Sequence, residues 1–275
     1  MRRIAMLVLM VVTAGSLRAQ SPEVGLWIGG SQYYGDVGII ESFYMPEDLA
    51  FGGFIRFNFN DHLALRTGVG FAGVQAADSL SVVPYRVNRN LSFRSSIFEA
   101  DARLELNFWP YIIGVPKKHS LYVFAGLGFF TFKPQALYQD NWWDLQPLNT
   151  EGQGTNLAPD LDTYNQWSFS VPFGLGYKAN IGRRFAVAVE FGARRTYTDY
   201  LDDVSGRYVD PAQLAGINGD VAGALSDRSI NRAAGEDNTF YLRGNRETND
   251  WYFISAISMS FKIFDNPERC HDFDD

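Results

Sequence analysis

The sequence predicts an all-β protein, an eight-stranded antiparallel transmembrane β-barrel with long extracellular loops and short periplasmic turns. Three observations support this prediction. Runs of about ten residues alternate between apolar and polar side chains, which is the period of a membrane β-strand. The segments between these runs alternate between short and long. The chain also begins with the layout of an export signal, and aromatic residues make up 15% of its composition.

The first 19 residues have the layout of a cleaved secretory signal peptide. Arg2 and Arg3 form a basic start, an apolar stretch runs from Ile4 to Ala14, and Ala19 places a small residue before Gln20. The apolar stretch is too short to cross a bilayer as a helix. We therefore divide the chain into a signal peptide (1–19), an outer-membrane β-barrel (20–264) and a periplasmic C-terminal tail (265–275).

Charge and cysteine content argue against several classes of protein. The formal net charge is −7, and removal of residues 1–19 makes it −10 because Arg2, Arg3 and Arg18 are lost. An acidic chain is a poor partner for nucleic acid, so we expect none. The single cysteine is Cys270, which excludes an internal disulfide bond.

The fourth predicted strand has the clearest alternation. From Phe98 to Phe108 the even-numbered residues are apolar, and the odd-numbered residues between them are polar. A strand separates these two sets onto opposite faces, and in a membrane barrel the apolar face points outward to lipid. Eight strands are predicted in this way: Val24–Tyr34, Ala50–Phe59, Leu63–Val74, Ile97–Phe108, Leu121–Phe132, Gln166–Tyr177, Phe185–Arg195 and Asp250–Phe261. The fifth is apolar on both faces, so the pattern does not assign its orientation.

The connections differ in length on the two sides of the predicted barrel. Asn60–His62 and Asn180–Gly182 are tight turns, and Trp109–Ser120 is a medium one. The long connections are 35–49, 75–96, 133–165 and 196–249, the last with a short helix predicted near Pro211–Ile217. Short turns are typically periplasmic, and an even strand count places both termini there. Trp27, Trp109, Trp167 and Trp251 lie near strand ends, where indole rings favour the membrane interfaces.

Catalytic chemistry is not indicated. His62 and His119 fall in predicted periplasmic turns and His271 in the tail, none beside a candidate nucleophile at the outer rim. A serine or aspartate mechanism would therefore lack its base. Phosphate-loop, zinc and dinucleotide motifs are also absent from the sequence. We predict no catalytic, cofactor-binding or metal-binding residues, and no enzyme.

Two clusters of charge have alternative interpretations. Glu99, Asp101, Arg103 and Glu105 share one strand face and could form a catalytic cluster, or a salt-bridged plug with residues of other strands. The plug is favoured because eight strands enclose only enough space for side chains, and both charge signs are available. Its other predicted members are Arg56, Arg66, Glu190 and Arg194. The acidic group Asp199, Asp202, Asp203 and Asp210 could hold Ca²⁺, but it lacks the spacing of a calcium loop, which favours turn and helix-cap roles.

Five short motifs carry a family resemblance. They are YGDV (Tyr34–Val37), TDYLDDVSGRY (Thr198–Tyr208), LSDRS (Leu225–Ser229), RGN (Arg243–Asn245) and DWYF (Asp250–Phe253). In these motifs the mature chain resembles the PorG-like outer-membrane β-barrel family of Bacteroidota. The resemblance implies a component of the type IX protein secretion system. It further implies partners in a periplasmic ring lipoprotein and its companion, commonly called PorK and PorN.

Two functional hypotheses follow. The first is a non-enzymatic barrel in the cell outer membrane, surrounded by outer-membrane lipid, that anchors or positions the periplasmic ring. The alternative is a small transport or adhesion barrel with ligand specificity in its extracellular loops. In the tail, Cys270 is a possible partner contact, because a lone cysteine in an oxidising compartment is a candidate for an intermolecular bond. An incidental thiol in a solvated chain end is the other interpretation.

Overall fold

A computed structural model describes residues 22–38, 47–231 and 238–263. The predicted signal peptide and tail, with Cys270, lie outside these ranges. Within them the chain forms β1 (Glu23–Tyr34), β2 (Asp48–Asn58), β3 (Leu63–Ala77), β4 (Ser92–Asn107), β5 (His119–Tyr138), β6 (Asn141–Asp144), β7 (Trp167–Ile181), β8 (Phe185–Thr196) and β9 (Trp251–Lys262). Three short helices are α1 (Pro84–Arg89), α2 (Pro211–Asn218) and α3 (Asp220–Ser226), with 3-10 turns at Asp78–Leu80 and Gln146–Leu148. No helix in the described ranges is both long and apolar enough to cross a membrane.

Eight strands close into an antiparallel barrel. Neighbours in the sheet follow the order β4, β3, β2, β1, β9, β8, β7, β5, and β4 also pairs with β5, which completes the ring. The first and last strands pair along their whole length, from Glu23 opposite Lys262 to Tyr34 opposite Trp251. The short strand β6 pairs with residues Gln135–Tyr138 at the C-terminal end of β5, and the two form a hairpin beyond the eight-stranded ring. The predicted eight-stranded antiparallel barrel is confirmed.

The outer surface of the barrel is an uncharged belt of apolar side chains. Leu26 and Leu127 are 73% and 72% exposed, although residues of this type are usually buried in water-soluble proteins. The same outward face includes Ile28, Phe51, Val69, Phe98, Leu104, Phe129, Phe169, Leu175, Val189, Phe191, Ile257 and Met259. The predicted outward direction of the apolar faces is therefore confirmed, and such a belt fits the hydrocarbon of a bilayer.

The orientation of strand β5 is clear in the structure. Its outward positions are Leu121, Val123, Leu127 and Phe129, whereas Tyr122, Phe124, Phe130 and Phe132 are buried inside the barrel. Both faces are apolar because the inner one supplies the aromatic core. Alternation of polarity fails as a signal in a strand whose inner face packs against other rings.

Several predicted strand ends were wrong. Strand β3 continues to Ala77, β4 begins at Ser92 and β5 reaches Tyr138, since the pairs Ala77–Ser92 and Arg94–Gln135 extend the ladders past the apolar belt. Beyond the belt the regular alternation that marks the membrane-facing part is lost. The predicted turn at Asn180–Gly182 is also displaced, because Ile181 is still in β7 and Gly182 (φ +73°) opens the turn.

The long connections fold into a structure that we call the loop cap, formed by the described parts of 35–38, 78–91, 139–166 and 197–250. One apolar core runs from the upper barrel into it, joining Phe130 and Tyr252 to Leu201, Val204 and Leu225. The helix predicted near Pro211–Ile217 is present as α2, and α3 follows it. The cap and the barrel therefore share one core.

Candidate functional site

The barrel interior contains a set of buried ion pairs, which we call the ion-pair network. The Arg56 guanidinium lies 2.8 Å from Glu23 and 3.0 Å from Glu105, and the Lys178 ammonium lies 2.7 Å from Glu105. Arg66 pairs with Glu190, which also lies 3.3 Å from Arg103. Arg103 bonds to Asp101 at 2.7 Å, and Arg194 lies 3.5 Å from Glu99. The network joins β1, β2, β3, β4, β7 and β8 across the lumen.

This network balances its own charge. Its described members are five carboxylates and five cations, all with side chains at most 7% exposed: Glu23, Glu99, Asp101, Glu105, Glu190, Arg56, Arg66, Arg103, Lys178 and Arg194. Buried charges are tolerable only when paired in this way. The salt-bridged plug predicted from Glu99, Asp101, Arg103 and Glu105 is confirmed. Lys178 and Glu23 join it in addition to the predicted members.

Trp27 seals the middle of the lumen, which corrects its predicted position at the membrane interface. Its side chain is 8% exposed and points inward. Gly52 and Gly70 make room for the indole, since a Cβ on either would lie 2.8 Å and 2.4 Å from its ring atoms. The remaining cavity beside Trp27, Arg66 and Arg103 is about 10 Å³, the space of about one water molecule. Of the other tryptophans predicted near strand ends, Trp167 and Trp251 are the first residues of β7 and β9, and Trp109 follows the end of β4.

The short-turn end is closed by the β4–β5 turn. Tyr111 is fully buried, and its hydroxyl donates to Asn180 Oδ1 at 2.7 Å. The side-chain amide of Asn180 donates to the backbone carbonyls of Ile112 and Val115 at 2.8 and 2.7 Å. One asparagine therefore holds the turn in the barrel mouth.

At the other end, one tyrosine joins three segments of the loop cap. The Tyr33 hydroxyl, at the end of β1, lies 2.6 Å from Asp202 Oδ2 and 2.8 Å from Asp250 Oδ1. The Asp36 amide donates to the same hydroxyl oxygen at 3.0 Å. Asp202 also accepts from the Val204 amide at 2.9 Å. We call Tyr33, Asp202 and Asp250 the aspartate clasp.

A second set of contacts surrounds Asp36 and Asp78. Asp36 Oδ2 accepts from the Asn245 amide at 2.6 Å. The Arg89 guanidinium, on α1, lies 2.7 Å from Asp78 Oδ2 and donates to the Asp36 and Arg243 carbonyls at 2.7 and 2.6 Å. Arg89 thereby connects the first, second and fourth long loops.

Arg243 is the centre of the third set. It is 2% exposed, lies 3.1 Å from Glu151 Oε1 and donates to the Asp203 carbonyl at 2.6 Å. Glu151 in turn accepts from the amides of Ser205 and Gly206 at 2.9 and 2.8 Å. The Asp203 carboxylate accepts from Thr150 and Tyr164. Sequence motifs separated by about 200 positions, such as those of Asp36 and Asn245, thus meet in one network of contacts.

Burial raises the pKa of four aspartates in the loop cap. Desolvation raises the pKa of Asp199 to about 9 and that of Asp203 to about 6, the latter against the opposing effect of Arg243. Desolvation, followed by the neighbouring carboxylates, also raises the pKa of Asp202 and Asp250 well above the usual range. Burial in the cap therefore favours the protonated form of these aspartates.

The acidic group considered for Ca²⁺ is dispersed. Asp210 caps α2 by accepting from the Ala212 and Gln213 amides at 2.8 and 3.2 Å, the helix-cap role that the sequence favoured. Asp202 and Asp203 accept hydrogen bonds from different partners in the clasp and around Arg243. In the described ranges, no three acidic, histidine or cysteine side chains are grouped to hold a metal ion.

Both described histidines lie at the short-turn end of the barrel, His62 in a turn as predicted and His119 as the first residue of β5 rather than in the turn before it. His62 Nδ1 is 2.8 Å from the Asn107 carbonyl in a short turn. His119 packs its ring 5.7 Å from those of Trp109 and Tyr177 at the same end of the barrel. His271 lies outside the described residues.

Among the described residues, two of the clefts on the surface of the loop cap are large. One of about 680 Å³ is lined by segments that include Asp160, Arg207 and Arg246. The other, about 580 Å³, lies between Tyr85 on α1 and Tyr241, with Tyr208 and Asn245 also lining it. Both volumes are in the range of small-ligand sites.

Sequence reasoning missed the residues that assemble the cap. Tyr33, Arg89, Glu151 and Arg243 are widely spaced and have no metal-site or catalytic spacing. The available signal was the presence of Arg243 and Asp250 within motifs of the family resemblance. Their contacts required the folded loops.

Three solved bacterial proteins are similar to this chain at low sequence identity. The chain is similar to the N-terminal β-barrel domain of OprF from Pseudomonas aeruginosa, with 11% identity, a TM-score of 0.38, and coverage of 89% of this chain and 98% of that one. It is similar to Ail, the attachment invasion locus protein of Yersinia pestis, with 9% identity, a TM-score of 0.40, and coverage of 88% and 98%. It is also similar to the outer membrane protein OprG from Pseudomonas aeruginosa, with 8% identity, a TM-score of 0.38, and coverage of 88% of this chain and 97% of that one.

No curated protein matches the chain. A family model described as a domain of unknown function, DUF6089, matches residues 2–222. Because this match spans most of the sequence, the chain belongs to the DUF6089 family.

Proposed function

We propose that this protein is a non-enzymatic outer-membrane β-barrel of the type IX protein secretion system. In this proposal it anchors or positions a periplasmic ring lipoprotein and its companion, PorK-like and PorN-like, at the outer membrane. The export layout of residues 1–19 and the apolar belt support the location, with the short turns in the periplasm. The role rests on the family resemblance.

The observation that carries the proposal is the convergence of the resembling motifs. Asp36 of YGDV, Asp202 of TDYLDDVSGRY, Arg243 of RGN and Asp250 of DWYF belong to the connected contacts of the loop cap. Motifs that maintain one three-dimensional unit support a resemblance of the whole protein more strongly than isolated strings. The sealed lumen supports a positioning role over a diffusion pore, since its cavity is about 10 Å³.

The test is affinity purification of the tagged barrel from chemically crosslinked cell envelopes, with mass spectrometry of the eluate. An equally abundant, identically tagged barrel of another family serves as the control. We expect the ring lipoprotein to be enriched with this barrel and not with the control. Absence of that lipoprotein, together with normal secretion in a deletion strain, would refute the proposed role.

The alternative is an adhesion barrel that binds a ligand through its outer loops, and the two cap clefts favour it. Phe240, Tyr241 and Leu242 are 74%, 70% and 60% exposed beside the clefts. Their replacement by serine should leave secretion unchanged under the main proposal. Loss of a surface-binding phenotype without a secretion defect would favour the alternative.

A further inference from the structure

The short-turn end has a surface excess of cations in an acidic protein. Lys117 and Lys118 lie in the β4–β5 turn, Arg183 and Arg184 in the β7–β8 turn, and Lys262 at the end of β9. Among the described residues of this end, Asp61 is the surface carboxylate. Lys117, Lys118 and Arg183 are exposed. We call these five cations the basic face.

Backbone contacts bring the basic face together. The Lys262 amide donates to the Arg184 carbonyl at 2.9 Å, and the Asn180 amide donates to the Lys118 carbonyl at 2.9 Å. Gly114, at φ +88°, approaches both neighbours: a Cβ there would lie 2.7 Å from the Arg183 carbonyl and 3.5 Å from Lys262 Nζ. The three elements therefore present their cations on one contiguous surface.

An acidic segment of the same chain follows directly from this surface. The last described residue is Ile263, whose amide donates to the Pro22 carbonyl at 3.0 Å beside Lys262. After it come Asp265, Glu268, Asp272, Asp274 and Asp275, with Arg269 as the one Lys or Arg among them. Extended chain spans about 3.3–3.6 Å per residue, so every carboxylate of the segment can reach the basic face.

We propose that residues 265–275 bind back onto the basic face. The occupant is identified by charge complementarity, by its point of exit at Lys262 and by its reach. Single exposed ion pairs contribute little, but several carboxylates on one segment facing several cations act together, and salt weakens them all. An acidic protein or an anionic lipid would have to displace this segment to reach the same cations.

The native Cys270 allows a direct test in the purified full-length barrel. One spin label is attached to Cys270 and a second to the exposed turn position Pro116→Cys, and the distance between the labels is measured by pulsed electron paramagnetic resonance. At about 0.05 M salt we expect one narrow, short distance. At about 1 M salt, where the screening length falls to about 3 Å, this distance should broaden and lengthen.

Matched charge removal separates the basic face from nonspecific effects. A triple variant that removes three cations of the basic face should abolish the short distance between the labels at low salt. It combines Lys117→Gln, Lys118→Gln and Arg183→Gln. The control variant loses three cations at the opposite end of the barrel and should keep the short distance between the labels. It combines Lys133→Gln, Arg195→Gln and Arg207→Gln. A broad distribution in the native protein at low salt would overturn the proposal. So would a short distance that survives both high salt and the first triple substitution. The shift of unheated against heated samples on gels confirms that each variant is folded.

Discussion

The hydroxyl of Tyr33 lies 2.6 Å from Asp202 Oδ2, and the same hydroxyl lies 2.8 Å from Asp250 Oδ1. A phenol has one proton to donate, so one of the two carboxyl groups must donate to it. Asp202 Oδ2 already accepts from the Val37 amide at 3.2 Å, whereas Tyr33 is the partner of Asp250 Oδ1. We infer that Asp250 carries the proton, which makes the clasp a short chain of donors from Asp250 through Tyr33 to Asp202.

This arrangement predicts that rising pH loosens the loop cap. The pKa of Asp250 and Asp202 is raised by burial, and that of Asp199 is raised to about 9. An acid with a raised pKa in the folded state binds its proton more tightly there than in the unfolded chain. Its contribution to stability is full below the unfolded pKa, near 3.8. This contribution is lost as pH rises through the pKa of the folded state. A spin label at Asn249→Cys, in a Cys270→Ser background, should become more mobile between pH 6 and about 10.

The matched variants are Asp250→Asn and Asp160→Asn. The side-chain amide that the first substitution introduces can donate to Tyr33 at any pH, so the label should respond less to alkali. Asp160 is an exposed loop residue, and its replacement should leave the response intact. Equal pH responses of the native protein and Asp250→Asn would show that the clasp does not control the cap.

The ion-pair network predicts unequal effects of removing its members. Glu105→Gln leaves Lys178, Arg56 and Arg66 without a shared counter-charge and should destabilise the barrel by about 3–5 kcal/mol. Lys178→Met should cost less, because Glu105 retains both arginines. The double variant should recover part of the loss, with a coupling of about 0.5–3 kcal/mol. Urea unfolding in lipid vesicles measures the free energy of unfolding of each variant. If the losses in the two single variants simply add up in the double variant, Glu105 and Lys178 do not interact.

The outward belt predicts which positions reject charge. Leu104 and Val189 are 52% and 59% exposed on the outer face, so arginine at either should cost about 2–4 kcal/mol near the bilayer midplane. Tyr197→Arg, on the loop beyond the end of β8, is the matched control and should be tolerated. The heat-dependent gel shift reports folding. Native-like folding of Leu104→Arg in a bilayer would mean that this face is not in lipid.

The export layout predicts that the mature protein begins at Gln20. N-terminal sequencing of protein from the outer-membrane fraction tests this directly. Retention of Met1, or recovery of the protein from the cytosol, would contradict export. A variant with Leu7→Arg and Val8→Arg in the apolar stretch should accumulate uncleaved, because the stretch would lose its hydrophobicity.

The barrel was predictable because each membrane-facing strand repeats one local rule. Alternation placed Leu104 outward and Glu105 inward, and the opposite charges of Arg56 and Glu105 implied a plug. Trp27 was placed wrongly, since its inward position depends on Gly52 and Gly70 in neighbouring strands. Non-local packing of this kind leaves no trace in the period of a single strand.

The loop cap was much less predictable. The Pro211 helix could be read from local signals, with Asp210 as its cap. By contrast, Arg89 meets Asp36 and Arg243 only through contacts between loops separated by up to 154 positions. Local sequence chemistry does not specify such contacts.

Ion flux through the inserted barrel tests the central claim, a sealed barrel that positions other proteins. The protein would be folded into planar bilayers, with heat-shifted gels of the same preparation verifying its folded state. The charge-balanced network and Trp27 leave a cavity of about 10 Å³, so we predict no steady conductance above that of the bare bilayer. Large, steady, porin-like steps from the native protein would contradict the sealed lumen and the positioning role built on it.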